Sequence, residues 1–88
     1  MDHTIRIPGP LRSYTNDIAE VSAQGDTLEQ LLADLERCYP GMRFRMIDEQ
    51  GRIRPHIIII INTQETPLLT TPLLNGDVVH LICALSGG

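Results

Sequence analysis

Five consecutive isoleucines, Ile57 to Ile61, constrain this chain more than any other feature. Successive side chains of a strand point to opposite faces, so a strand built from this run is apolar on both. The segment Val78-Val79-His80-Leu81-Ile82-Cys83-Ala84 has the same character, with Val78, Val79, Leu81 and Ile82 supplying both sides. A sheet that contains these two segments has two apolar faces to cover.

The chain offers one clear helix for that task. Thr27-Leu28-Glu29-Gln30 matches a capping box, with the Thr27 hydroxyl placed to accept from the Gln30 N–H. Leu28, Leu31, Leu32 and Leu35 then recur at helical spacing, extended by Cys38 or Tyr39, while Asp34, Glu36 and Arg37 fall largely off the stripe. Pro40-Gly41 stops the helix. The stripe is too short for repeated heptads and reads as a core face.

Two further alternating runs precede it. Thr4-Ile5-Arg6-Ile7 is ended by Pro8-Gly9-Pro10, and Ile18 to Ala23 is broken by Gln24-Gly25-Asp26. They read as an N-terminal hairpin with a longish connection. From Met42 to Pro55 the chain is irregular, with Phe44, Met46 and Ile47 available to anchor a short turn and Gly51 in a polar loop. Asn75-Gly76-Asp77 is a turn leading into the last strand. The order strand, strand, helix, strand, strand predicts an α+β domain with a mixed sheet and one main helix on one face. That helix covers a single face. The other, carrying Ile58, Ile60, His80 and Ile82, is covered by the long loops or docks a partner.

Composition excludes several function classes. The 88 residues fit one domain and leave no room for a cleft between domains. The net charge is −4, and the seven basic residues are all arginine, so a nucleic-acid partner is not expected. Arg43, Arg45, Arg52 and Arg54 cluster near Asp48 and Glu49; this reads as a self-compensating solvated patch or as a docking patch for an acidic partner surface. The N-terminus shows no signal-peptide pattern and the isoleucine run is too short to span a membrane, so a cytoplasmic protein with no membrane association is expected. Cys38 and Cys83 lie far apart and read as two reduced, mostly buried thiols. His3, His56 and His80 share no metal-ligand spacing, and no nucleophile elbow or phosphate loop is present. No internal catalytic residue and no metal site are expected. Cys83, though near the chain end, reads as a packing residue of its strand.

The end of the chain remains. Two terminal glycines arise by chance in roughly 0.5% of sequences at the average glycine usage of about 7%. Without a Cβ, Gly87 and Gly88 can thread a narrow channel in extended form and present the terminal carboxylate beyond it. Residues 1–84 are thus expected to form one domain, and residues 85–88 (Leu85, Ser86, Gly87, Gly88) a flexible tail that threads into a partner.

With the element order, that tail makes the sequence resemble the MoaD/ThiS-type sulfur carriers, which share the ubiquitin-like β-grasp fold. The marks are Ile7-Pro8-x-x-Leu11-Arg12, Gly25-Asp26-Thr27-Leu28, Leu35-x-x-x-Tyr39-Pro40-Gly41, Ile60-Ile61-Asn62, Asn75-Gly76-Asp77-Val78-Val79 and Gly87-Gly88. The extra segment from Met42 to Pro55 is similar to the longer MoaD-like branch. The Ile7-Pro8 and Ser22-Ala23-x-Gly25-Asp26-Thr27-Leu28 stretches look most like carriers of cysteine-type amino acid synthesis; molybdopterin and thiocarboxylate siderophore pathways use similar carriers. Cys83-Ala84-Leu85-Ser86 departs from the family, in which a proline and small residues are common there.

The resemblance implies a protein cosubstrate rather than an enzyme, with no bound cofactor. An E1-like adenylating enzyme of the MoeB/ThiF type would use ATP to adenylate the Gly88 carboxylate. Sulfur would then displace AMP, and the resulting thiocarboxylate would feed a sulfur-accepting biosynthetic enzyme. Some such carriers are first trimmed to Gly-Gly by a metalloprotease. A ubiquitin-like protein modifier needs the same tail, and a non-catalytic docking subunit would need only the apolar face.

Overall fold

The computed structural model describes residues 2–65 and 68–84. The first alternating run forms β1 (Asp2–Arg6), which pairs antiparallel with β2 (Glu20–Gln24), His3 opposite Ala23 and Ile5 opposite Val21. β2 starts later than the alternation implied. Ile18 lies ahead of it in the connection and is exposed. The Pro8-Gly9-Pro10 segment does more than end β1: Gly9–Thr15 winds into a short 3₁₀ helix that buries Leu11 and Thr15. Prolines at the start of such a turn give up no N–H that the helix needs, so the signal that ends one element opens the next.

The capped helix α1 spans Leu28–Cys38 and buries Leu28, Leu31, Leu32 and Leu35. Each such leucine contributes roughly 1.5–3 kcal/mol through removal of its side chain from water. Thr27 Oγ1 accepts from the Gln30 N–H at 3.3 Å, and Gln30 Oε1 in turn accepts from the Asp26 N–H at 2.9 Å. Tyr39, not Cys38, extends the stripe: the tyrosine packs against the core while Cys38 is exposed. The expectation of two mostly buried thiols is therefore corrected for Cys38, which lies off the leucine stripe.

Gly41, at a φ of 96°, turns the chain into α2 (Met42–Met46). Met42, Met46 and Ile47 are buried there, whereas Phe44 points outward and is 56% exposed. Phe44 is thus not a core anchor. The isoleucine run is β3 (Ile57–Ile61), followed by the two-residue β4 (Gln64–Glu65) and, after the loop containing residues 68–77, by β5 (Val78–Cys83). The sheet order is β2-β1-β5-β3-β4; β5 runs parallel to β1 and antiparallel to β3. No helix among the described residues is long and apolar enough to cross a membrane.

Two contacts hold the corners. A Cβ on Gly25 would lie 2.5 Å from the Leu31 backbone nitrogen and 2.9 Å from Gln30 C, so only glycine lets the end of β2 press against the first turn of α1. The buried His3 ring donates from Nε2 to the Gly25 carbonyl at 2.8 Å. At the opposite corner, Asn62 Nδ2 donates to Asp77 Oδ1 at 2.9 Å, and Asn62 Oδ1 accepts from the Val78 N–H at 3.0 Å. The second Asp77 oxygen accepts from the Leu74 N–H at 2.8 Å. This clamp ties the end of β3 to the start of β5.

Gly25→Ala is expected to cost about 1–3 kcal/mol by overpacking, read as a lower midpoint in urea unfolding. Gly9→Ala, where a Cβ meets nothing within 4 Å, should leave that midpoint near wild type. The hydrogen bond from Asn62, and then that from Leu74, hold the Asp77 carboxyl below its ordinary range against the opposing effect of burial. A carboxyl depressed in the folded state stabilises the fold above the ordinary carboxylate range, and the effect is lost as pH falls through the folded value. Urea midpoints measured from about pH 5 downward should therefore fall, and fall less steeply in Asp77→Asn. The remaining slope would come in part from Asp34 and Asp48, which are depressed in the same direction.

Candidate functional site

The strand pairing sorts the two apolar segments by face. Ile59 opposes Leu81 and Ile61 opposes Val79 on the side toward α1, and all four are buried. On the other side Ile58 opposes Ile82 and Ile60 opposes His80. The sequence-predicted docking residues therefore form one block of two cross-strand pairs. Ile58 is 36% exposed and Ile82 39%, with Ile60 and His80 half-buried, so the described loops leave this face open at its centre.

β5 occupies the middle of the sheet, and its C-terminal end delivers the chain to Ala84. The Ala84 N–H donates to the His56 carbonyl at 2.7 Å, which extends the β3–β5 ladder by one step. Leu85, Ser86, Gly87 and Gly88 lie outside the described residues. The root of the tail is thereby placed beside the open face, between two differently built flanks.

On the flank toward β1, a groove runs along Arg6, Pro8, Arg12, His80 and Ile82. Its arginines are engaged: Arg6 faces Glu20 at 3.6 Å, and Arg12 Nε donates to the Ile7 carbonyl at 3.1 Å. On the flank toward the start of β3, Phe44, Arg45, Glu49, Arg54 and His56 line a recess of about 300 Å³. Arg54 Nε donates to the Phe44 carbonyl at 2.8 Å, and its guanidinium lies 4.6 Å from the centre of the Phe44 ring. Asp48 and Glu49 do not act as a pair: Asp48 Oδ1 closes its own turn by accepting from the Gln50 and Arg52 N–H groups, each at 2.9 Å.

Cys83 is half-buried and packs against the core. Burial pushes its thiol up, opposed by the charge of Arg45, so the thiolate needed for nucleophilic work is disfavoured. Among the described residues no group of three or more histidine, cysteine or acidic side chains could hold a metal ion. Residue-by-residue reading missed His56 and Ala84 as neighbours of the tail root. The parity that places Ile58 outward also places His56 outward, and that signal was available.

An open sheet face, one helix behind it and a chain end leaving the central strand define a ubiquitin-like β-grasp protein. The chain belongs to the ThiS family, whose model matches residues 5–88. It is 34% identical over 93 residues to the sulfur carrier protein CysO of Mycobacterium tuberculosis (strain ATCC 25618 / H37Rv), covering 100% of both chains. The crystal structure of M. tuberculosis CysO, described as an antigen, superposes with a TM-score of 0.89 at 33% identity, covering 94% of this chain and 99% of that one. A chain of the Amycolatopsis orientalis BexX/CysO complex superposes with a TM-score of 0.89 at 26% identity, covering 98% and 99%.

The two thiols should separate under alkylation. With limiting iodoacetamide at neutral pH, Cys38 is expected to be modified before Cys83, read by mass spectrometry of the digested protein. Equal rates would contradict the burial that pushes the Cys83 thiol up.

Proposed function

We propose that this chain is a sulfur carrier whose working group is the α-carboxylate of Gly88. The full-length match to a sulfur carrier is the observation that carries this reading. The position of the tail root, at the end of a central strand beside an open apolar face, supports it. Residues 1–84 serve as the folded unit a partner grips, and residues 85–88 as the tail it takes in. Leu85 and Ser86 lead Gly87 and Gly88 into the partner's channel.

The chemistry needs no side chain of the carrier. An E1-like adenylating enzyme joins the Gly88 carboxylate to the α-phosphorus of ATP and releases pyrophosphate. A sulfide or persulfide sulfur attacks the acyl carbon and AMP leaves; a persulfide adduct is then cleaved reductively by a thiol. The terminal carbonyl then bears sulfur in place of one oxygen. The thiocarboxylate, ionised at neutral pH, attacks the acceptor on a biosynthetic enzyme, and hydrolysis of the product regenerates the carboxylate. The protein is consumed and restored as a cosubstrate, with ATP bound by its partner. Resemblance to CysO favours cysteine-type amino acid synthesis in the cytoplasm. Any residues encoded beyond Gly88 would have to be removed first, the task of a tail-trimming metalloprotease. The BexX/CysO complex supports partner docking by a carrier of this shape, and Ile58, Ile60, His80 and Ile82 are the residues assigned to that contact.

The test is the intact mass of the full chain after incubation with ATP, sulfide and the E1-like enzymes of the source cell. The expected shift is one oxygen replaced by sulfur, located on Gly88 by fragmentation and absent from a variant lacking that residue. Ile82→Asp should raise the KM for the carrier about tenfold, the size of a single interface anchor, with kcat little changed. No shift with any such enzyme would reject the carrier, and conjugates of higher mass would point to a protein modifier.

A further inference from the structure

The arginines of this acidic protein are unevenly spent. Arg6, Arg37, Arg43 and Arg52 each face a carboxylate, at 3.6, 2.8, 2.7 and 3.6 Å. Arg12 bonds the Ile7 carbonyl on the other flank; the Arg45 side chain makes no hydrogen bond or ion pair among the described residues, and Arg54 is bonded to a carbonyl and stacked on Phe44 rather than paired with a carboxylate. Both line the recess with His56, and Glu49 is the single carboxylate on its wall. With two arginines against one glutamate the recess carries a formal charge of +1, on a chain of net charge −4.

The position of the recess connects it to the tail root. His56 shares the outward parity of Ile58, and its carbonyl holds Ala84 at the tail root. The charge of Arg45 reaches Cys83, one residue before Ala84. An exposed aromatic ring and two arginines thus stand beside the point where the tail leaves, next to His56 and on the α1 side of Cys83. Arginine and aromatic residues are those that carry interface energy. Stacking fixes Arg54 in advance, so less of its freedom is lost when it is engaged.

We propose that Arg45 and Arg54, beside Phe44 and His56 at the tail root, form a cationic docking rim that receives an acidic segment, rich in Asp or Glu, of the protein that takes in the tail. The inference rests on the carrier reading for the identity of that protein, but not for the chemistry of the recess. The rim orients the partner so that its channel meets Ala84, and complementary charge of this kind acts chiefly on encounter and register. Tail residues 85–88 then span at most about 14 Å from that point, which sets how close the channel mouth must lie.

Two measurements on the full chain decide it. In the first, a decaglutamate peptide is titrated in and amide shifts are followed by NMR, with inorganic phosphate as the comparison anion. The peptide is expected to shift Arg45, Arg54, His56 and Ala84. The response should disappear in Arg45→Glu, persist in Arg37→Gln on the exposed side of α1, and vanish near 1 M salt, where the screening length falls to about 3 Å. Shifts centred elsewhere, or none, overturn the proposal; an equal response to phosphate reassigns the recess as a general anion site. In the second, the adenylating enzyme that acts on Gly88 is assayed with variant carriers. Arg45→Glu should raise KM at least fivefold with kcat within twofold, and Arg45→Lys should retain most of the wild-type value. An unchanged KM overturns the role in docking. If the wild-type chain is not activated at all, the carrier reading fails while the peptide titration still decides the recess.

Discussion

A single helix can seal only one side of a sheet, and the rest of this structure depends on that constraint. α1 presses four fully buried leucines against β1, β2, β3 and β5, and the inward residues of β3 and β5 complete the core. Among the described residues, the outward residues of the same strands meet no second helix layer. Their exposure at Ile58 and Ile82 follows from the arithmetic of layers, not from local disorder of the loops. An apolar face kept open in this way costs some solubility, and a docking partner gives a reason to retain it.

The second consequence concerns the chain end. Because β1 and β5 run parallel at the centre, the last strand is held on both edges and its direction is set before the tail begins. Asn62 and Asp77 fix the start of β5, and the Ala84-to-His56 hydrogen bond fixes its end. For the tail entry proposed above, a fixed root would be an advantage, since orientation lost at the root would have to be recovered on binding. The acidic total and the local arginines then play different parts. Most of the arginines are neutralised close to where they stand, and the two left without a carboxylate bond in the recess lie beside the tail root.

Much of this was legible in the chain. The capping box, the leucine stripe and the alternation of β1 give the helix and the hairpin, and the isoleucine run, by parity alone, names the residues on each face. Proline misled locally: Pro8-Gly9-Pro10 reads as a terminator, yet it opens a 3₁₀ turn because the following Leu11 and Thr15 are drawn into the core. Phe44 misled in the opposite sense. Its hydrophobicity argues for burial, but α2 spends its inward positions on Met42 and Met46, and Arg54 covers the ring from outside.

By itself the sequence determined the main helix, the four long strands, their amphipathic faces and the Gly-Gly end, because these rest on periodicity and on single-residue chemistry, whereas the 3₁₀ turn, α2 and β4 escaped it. Only the tertiary structure decided that β5 lies between β1 and β3, that Gly25 must be glycine, and that His56, Arg45 and Arg54 gather where the tail begins. Those facts depend on which strands pair and on how closely two backbones approach. Both are set by contacts between residues distant in the chain, and no local pattern encodes them.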